Sequence, residues 1–278
     1  MKALLIGGSG FIGSRLCESL DAEKISYFSR HRNEILASKN IDHIQGSVEE
    51  TDKLKEIVKD YDTIFYLAGV FEEKEQKHEV VTLNGVKAVV DAIKKQDTGQ
   101  KLIFFSAINT DYGVSEFFRI RRIAEDNVAL AKDSLIIKLS NVFGDGDRIT
   151  RDVEVLAKSG VRKMPLGRSL APVSVNNLVT AVKAFTQYKG TIYMCSKEDI
   201  SLDRAVNIVR SRLKLSPVKT VDNKKKNQKI IAKMTERVNL PAWRIADLVL
   251  NFYRENTSLY RAVKEPDKYE DYIKARYS

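Results

Sequence analysis

The chain's 278 residues can bury a substantial core, as one large α/β domain or as a main domain with a smaller appendage, and its net charge of +10 admits an anionic partner. No apolar run approaches the roughly eighteen residues of a membrane-spanning helix, and "MKALLIGGSG" passes from a strand into glycine instead of a secretory core, which predicts a soluble, cytoplasmic protein with no transmembrane segment. Cys17 and Cys195 stand far apart in apolar surroundings and His31, His43 and His78 have no ligand spacing, which argues against a disulfide framework and against a metal centre.

The first 140 residues alternate strand-like and helical patterns. Strand-like runs lie at 2–6, 24–28, 41–44, 62–68, 101–106 and 134–139, with helical patterns near 11–20, 49–59, 79–96 and 115–131. This rhythm predicts an α/β fold with a Rossmann-like doubly wound parallel sheet, whose ligand lies beyond the carboxyl ends of the strands. After residue 140 the pattern loosens. A short strand runs into a helix over 172–185, "GTIYMCS" reads as a strand, and "SLDRAVNIVRSRL" reads as a helix. From Asn239 the chain is helical, with Pro241 suited to a first turn and Ile245, Leu248, Val249 and Phe252 on one face. Residues 1–213 are expected to form the dinucleotide-binding domain, with substrate-side elements from about 141. Residues 214–229 read as a linker, and 230–278 as a smaller helical C-terminal appendage. Half of the charge excess lies in 222–278, and "NKKKNQK" at 223–229 reads as a solvated loop rather than a nucleic-acid patch.

"LLIGGSGFIG" puts Gly8, Gly10 and Gly13 in G-x-G-x-x-G spacing between the first strand and the first helix. Glycine there permits the tight turn and lets the backbone approach a pyrophosphate, while the helix start supplies free N–H groups. The second strand ends in "FSRHR", with Ser29, Arg30 and Arg32 and no carboxylate. An acid there would repel a 2′-phosphate; a hydroxyl and two guanidiniums can bind one, so NADP(H) is expected, with NAD the alternative if the arginines only solvate a loop. In "SEFFRIRRIAEDNV", Phe117, Ile120, Arg121, Ala124 and Val128 share one helix face, which sets a guanidinium among rings and methyls.

With Gly7-x-x-Gly10-x-x-Gly13 also present, the chain resembles the extended and atypical short-chain dehydrogenase/reductase family, the NAD-dependent epimerase/dehydratase-like proteins. The likeness is strongest to the branch similar to the accessory Rossmann subunit of respiratory complex I, and it covers about residues 1–200. It implies a cofactor site at Gly7, Gly10, Phe11, Ile12 and Gly13. Gly46, Ser47 and Val48 of "HIQGSVEE" would border the adenine, with Ser47 replacing the family's Asp. Ala68, Gly69 and Val70 of "FYLAGV", Asn84 of "VTLNGVKAVVDAIKK" and Ser140 of "LIIKLSNVFGDGDR" complete the implied contacts; Lys138 and Leu139 stand where the branch has Arg-Pro. "APVSVNNLVTAV" looks like the branch's Pro-Val-x-Val-Asp-Asp-Val stretch, with Asn176 and Asn177 in place of the acids.

Catalytic members start the fifth-strand helix with Tyr-x-x-x-Lys, tyrosine moving the substrate proton and lysine lowering its pKa and holding the nicotinamide ribose. The resemblance puts Phe117 at the tyrosine and Arg121 at the lysine. Phenylalanine has no proton; arginine can still hold ribose hydroxyls. Ser106 takes the position of the hydroxyl that polarises substrate, and Tyr112 is the nearby phenol. The expectation is a dinucleotide-binding protein with a degenerate catalytic site, structural or redox-sensing, serving an assembly as that branch does. A second reading is an active oxidoreductase or epimerase on a nucleotide sugar or small carbonyl compound, its acid relocated to Tyr112, Asp111 or water. A third is a basic RNA- or membrane-surface-binding module, for which no stacking motif speaks.

Overall fold

The computed structural model describes residues 1–73, 76–97, 99–113, 115–250 and 256–277. Phe252, expected on the apolar face of a C-terminal helix, lies outside them. In chain order the first elements are β1 (Lys2–Ile6), α1 (Phe11–Ser19), β2 (Lys24–Ser29), α2 (Glu34–Ser38), β3 (Asp42–Gln45), α3 (Thr51–Val58) and β4 (Thr63–Tyr66). A π-helical segment, Glu79–Asn84, leads into α4 (Gly85–Gln96), followed by β5 (Lys101–Ala107), α5 (Glu116–Val128) and β6 (Ser134–Leu139). Then come β7 (Val142–Phe143), α6 (Arg148–Lys158), β8 (Lys163–Pro165), β9 (Val173–Ser174), α7 (Val175–Phe185), β10 (Gly190–Met194), α8 (Leu202–Arg212) and β11 (Lys219–Val221). Last are α9 (Asn227–Thr235), α10 (Ala242–Leu250), α11 (Leu259–Ala262) and α12 (Tyr269–Arg276).

Seven strands form the central sheet in the order β10-β6-β5-β4-β1-β2-β3, and each pairing from β3 through β6 is parallel. The central strands are apolar on both faces because helices cover both: Ala3, Leu4, Leu5 and Ile6 have no exposed surface, nor do Ile64, Phe65 and Tyr66. The order reverses between β1 and β4, so the loops after those two strands open onto the crevice where doubly wound folds hold ligands. β10, read as a strand from "GTIYMCS", joins the six strands of the first 140 residues as a seventh.

The chain divides into two compact units, one of Met1–Leu139 with Val179–Tyr193, the other of Ser140–Leu178 with Met194–Ser278. This differs from the expected division at 213–230. The stretch 214–229 is not a linker: it holds β11, paired in parallel with β8, then a 3-10 turn at Lys224–Lys226 and the start of α9. A three-residue strand with no fully buried residue leaves too little periodicity to show through such polar sequence. The first unit's core joins Leu4, Ile6, Phe28, Tyr66, Val86, Phe104, Ile120, Ala124 and Val128. The second has its own, with Phe143, Val153, Leu156, Met164, Leu202, Val206, Ile245, Leu248 and Tyr269.

The helix expected over 79–96 begins as the wide π turn. Tyr66 fills that width and its hydroxyl donates to the Val81 carbonyl; a Cβ on Gly85 would overlap the same hydroxyl. π turns recur at functional sites because the extra residue re-aims the backbone around them.

Candidate dinucleotide site and the working face of α5

The glycine turn after β1 is built as its spacing requires. Gly7 has φ +85°, and a Cβ there would sit 2.7 Å from the Ala68 nitrogen, so β1 and the loop after β4 touch backbone to backbone. A Cβ on Gly8 would strike Tyr27 Cβ at 2.5 Å, and one on Gly13 would sit 2.7 Å from the Gly7 carbonyl oxygen and from Gly8 Cα. Gly10 caps α1 with extended backbone and no side-chain cap, and no acidic residue lies in the first turn. The N–H groups at Phe11 and Ile12 therefore face the crevice end of β1 with the positive pole of the helix behind them. Among the described residues these features, with Ala68, fit a pyrophosphate: close backbone approach, free donors and no competing carboxylate.

At the end of β2, Ser29 is buried and its hydroxyl donates to the His31 carbonyl at 2.7 Å, with His43 Nε2 at 3.2 Å. Its hydroxyl is thus already engaged, whereas Arg30 and Arg32 are exposed. Arg30 shares a groove with Gln45, Gly46, Ser47, Glu50 and Lys53. Gly46 is held by its N–H to the Ser29 carbonyl at 3.0 Å, and a Cβ there would meet the Phe28 ring. The Ser47 N–H donates to Glu50 Oε1 at 2.7 Å; this bond, with the Lys53 ammonium beside it, holds the Glu50 carboxyl below the ordinary carboxylate value. Val48 points into the core. The sequence reading missed Lys53, which reaches the groove from α3, and Asn33. Asn33 caps α2 and its Nδ2 donates to the Ser9 carbonyl in the glycine turn at 3.3 Å. The N-cap pattern Asn-Glu before an apolar run could have found Asn33.

The start of α5 meets the loop after β4. Phe117 is buried, stacked on Phe71 with ring centroids 5.1 Å apart, edge-on to Phe118 at 5.1 Å and to His78 at 5.7 Å. Burial pushes the His78 imidazole below its ordinary value against the pull of Glu73, while its ring bonds to the Val70 backbone, so it is neutral at pH 7. The Arg121 guanidinium lies over the Phe117 ring, 4.3 Å from its centroid, and one Nη stands 2.5 Å from where a Cβ on Gly69 would be. Burial pulls Arg121 down to about 10, against the opposing effect of Tyr66 and Glu125. The structure therefore brings Gly69, Val70, Phe117 and Arg121 together.

Ser106 and Tyr112 diverge from that group. Ser106 is buried at the end of β5 and its hydroxyl donates to Glu125 Oε1, to which Thr110 Oγ1 also donates at 2.9 Å. Glu125 Oε2 pairs with Lys138 Nζ at 2.9 Å, and the same ammonium reaches Asp111 Oδ1 at 3.0 Å, which Arg122 also reaches at 3.1 Å. Tyr112 is 57% exposed. Asn84 is exposed at the end of the π turn, and Ser140 belongs to the second unit, where its hydroxyl donates to the Ala171 carbonyl at 2.6 Å. Among the described residues no cluster of three or more His, Cys, Asp or Glu could hold a metal, and no helix is long and apolar enough to cross a membrane.

A seven-stranded sheet of order 3-2-1-4-5-6 with one strand added, a glycine turn at the switch point and a helix running back from β5 define a Rossmann-like doubly wound fold. Residues 3–127 match the model of the NAD dependent epimerase/dehydratase family. A curated relative, the UDP-2-acetamido-2,6-beta-L-arabino-hexul-4-ose reductase of Pseudomonas aeruginosa, is 26% identical over 203 residues, covering 66% of this chain. The chain spans about half, 48%, of that relative's length. Among solved structures, WbmH of Bordetella bronchiseptica, in complex with NAD+, is 16% identical with a TM-score of 0.73, covering 99% of this chain and 96% of that one. The UDP-Glc/GlcNAc 4-epimerase of Campylobacter jejuni is 14% identical with a TM-score of 0.69, covering 99% and 98%. At these identities the structural likeness carries the fold.

Proposed function

We propose that the chain binds NADP(H) across the ends of β1 and β4 and has lost the standard Tyr-Lys proton transfer, acting as a structural or redox-sensing dinucleotide protein. The observation that carries this reading is Phe117: at the head of α5 the side chain is a ring with no exchangeable proton, packed by Phe71, Phe118 and His78. The neighbouring hydroxyl of Ser106 is committed to Glu125, which leaves it oriented by the protein. A missing general acid or base costs about two to four decades of rate. A bound nicotinamide supplies hydride-transfer capacity; this chain's residues hold and shield it. Support for the 2′-phosphate comes from the groove at the end of β2, where the two cations Arg30 and Lys53 outnumber the single carboxylate, Glu50, which already accepts the Ser47 N–H. Service to a protein assembly extends the same reading through the resemblance to the complex I branch.

The test is native mass spectrometry of the purified protein followed by calorimetric titration. The proposal expects NADP to bind at least tenfold more tightly than NAD, and Arg30→Gln with Lys53→Gln to erase the preference; equal affinities in the wild type would remove the 2′-phosphate reading. Nucleotide-sugar enzymes among the relatives favour a second reading, an active reductase or epimerase on such a substrate. Asp111, its candidate acid, is ion-paired with Lys138 and Arg122. Steady consumption of NADPH with UDP-linked 4-keto sugars, abolished by Asp111→Asn or Tyr112→Phe, would establish that reading over the first.

A further inference from the structure

α5 carries three arginines, and their electrostatic surroundings differ. Arg119 is paired with Glu116 on the exposed side, its Nε 2.7 Å from Oε2, and Arg122 reaches Asp111. Arg121 has no ion pair and no hydrogen bond among the described residues; its contacts are the Phe117 ring and the surroundings that pull its pKa down. Glu125, one turn further along α5, is the carboxylate that could have neutralised it, but Ser106, Thr110 and Lys138 take up its two oxygens. The result is a half-buried guanidinium with five unused N–H donors. One face is shielded by a ring, and it lies beside exposed Gly69, which has no side chain to block it.

A half-desolvated cation without an ion-pair partner is disfavoured, and a neutral ribose diol compensates it less well than an anion does. The group that does is a planar or tetrahedral oxyanion with two oxygens at the spacing of the guanidinium fork. The walls around it agree with that ligand: buried Phe117 covers one face, Phe71 stacks on that ring from the exposed side, and neutral His78 adds no competing charge. We infer that Arg121 is an oxyanion seat beside Gly69, which grips a carboxylate or phosphate in a bidentate contact that a lysine at this position could not make. Two sources share this chemistry, a phosphate of the dinucleotide itself and a carboxylate on a second small molecule. The inference rests on the proposed dinucleotide reading for its second ligand, though not for the anion chemistry.

The experiment uses the full chain and the variants Arg121→Lys and Arg121→Gln. Calorimetry measures NADP+ and NAD+ on the dinucleotide-free protein, and glucuronate against glucose on the NADP+-saturated protein and on the free one. A carboxylate ligand predicts that glucuronate binds and glucose does not, that Arg121→Lys weakens glucuronate about tenfold or more, and that NADP+ affinity moves less than about threefold. A dinucleotide phosphate predicts the converse, with NADP+ and NAD+ both weakened about tenfold in Arg121→Lys and no glucuronate binding. Either pattern supports the seat and assigns its source. Unchanged affinities for all four ligands in both variants overturn it. A thermal melt adds a ligand-free readout: removing an unpaired, half-buried cation should leave Arg121→Gln with a melting temperature equal to or above the wild type. A clear fall would mean that the guanidinium serves the fold and not a ligand. If no dinucleotide binds in any form while glucuronate still depends on Arg121, the proposed function fails and the oxyanion seat stands.

Discussion

At the scale of single residues, the glycine turn makes the strictest demand on side-chain size. Gly13→Ala would force a methyl against backbone atoms of Gly7 and Gly8, which have nowhere to retreat between β1 and α1. A loss of about 1–3 kcal/mol in stability and at least a tenfold loss of dinucleotide affinity should follow, read by thermal melt and titration. Cys17 packs beneath the same turn, its sulfur 4.0 Å from the Gly8 carbonyl, and burial pushes its thiol up to about 12. Only thiolate reacts, so iodoacetamide at pH 8 should leave Cys17 unmodified in the native protein and label it after unfolding, as mass spectrometry will show. The turn was legible in the sequence because glycine at fixed spacing has one geometric meaning. The direction of the Ser29 hydroxyl was not, because the His31 carbonyl that receives it is a backbone group with no sequence signature. Arg121's isolation was equally hidden: it depends on Glu125 being claimed by Ser106 and Thr110 from the neighbouring strand and loop.

At the scale of elements, α5 is fastened to β6 by the buried contact of Glu125 with Lys138. Burial disfavours the Lys138 ammonium, but its hydrogen bonds to Glu125 and Asp111 outweigh that and raise its pKa above the ordinary lysine value. The linkage sign follows from a raised folded value. The stabilisation is fully present below the unfolded lysine pKa, about 10.4, and is lost as pH rises through the higher folded one. Melting temperature should therefore fall on the alkaline side, and Lys138→Met should flatten that fall while costing about 3–5 kcal/mol at pH 7, because Glu125 is left buried without its cation. The elements of the first unit were readable since their apolar periods are long and unbroken. Two helices escaped notice. α2 is a five-residue helix, too short for periodicity, and α6 begins inside a glycine- and aspartate-rich turn that reads as loop. Its signals were present in the Asp147 cap, whose Oδ1 accepts the Thr150 N–H at 2.6 Å, and in the Ile149, Val153 and Leu156 stripe. β11 and β8 become strands only through each other, which no local pattern records.

At the scale of the whole molecule, charge is unevenly divided. The first unit holds 22 Lys/Arg against 22 Asp/Glu, and the second 25 against 15, so the entire excess belongs to the second. Lys229 and Lys233 lie along the side of α9 opposite buried Ile231 and Met234, with Lys224, Lys225 and Lys226 in the turn before it. Among the described residues none of these five has an ion-pair partner. Retention on heparin should therefore weaken steeply with salt. The quadruple change of Lys224, Lys225, Lys226 and Lys229 to Glu should lower the eluting salt, while Arg30→Gln in the first unit leaves it nearly unchanged; no shift in the quadruple variant would mark the run as solvent-facing only. The path of the chain through the two units has a consequence for synthesis. A ribosome delivers β6 well before β10, since the segment Ser140–Leu178 of the other unit is made in between. Until Gly190–Met194 emerges, the nascent sheet has a bare margin of unpaired amides along β6, the place where a stalled or truncated chain would adhere to its neighbours.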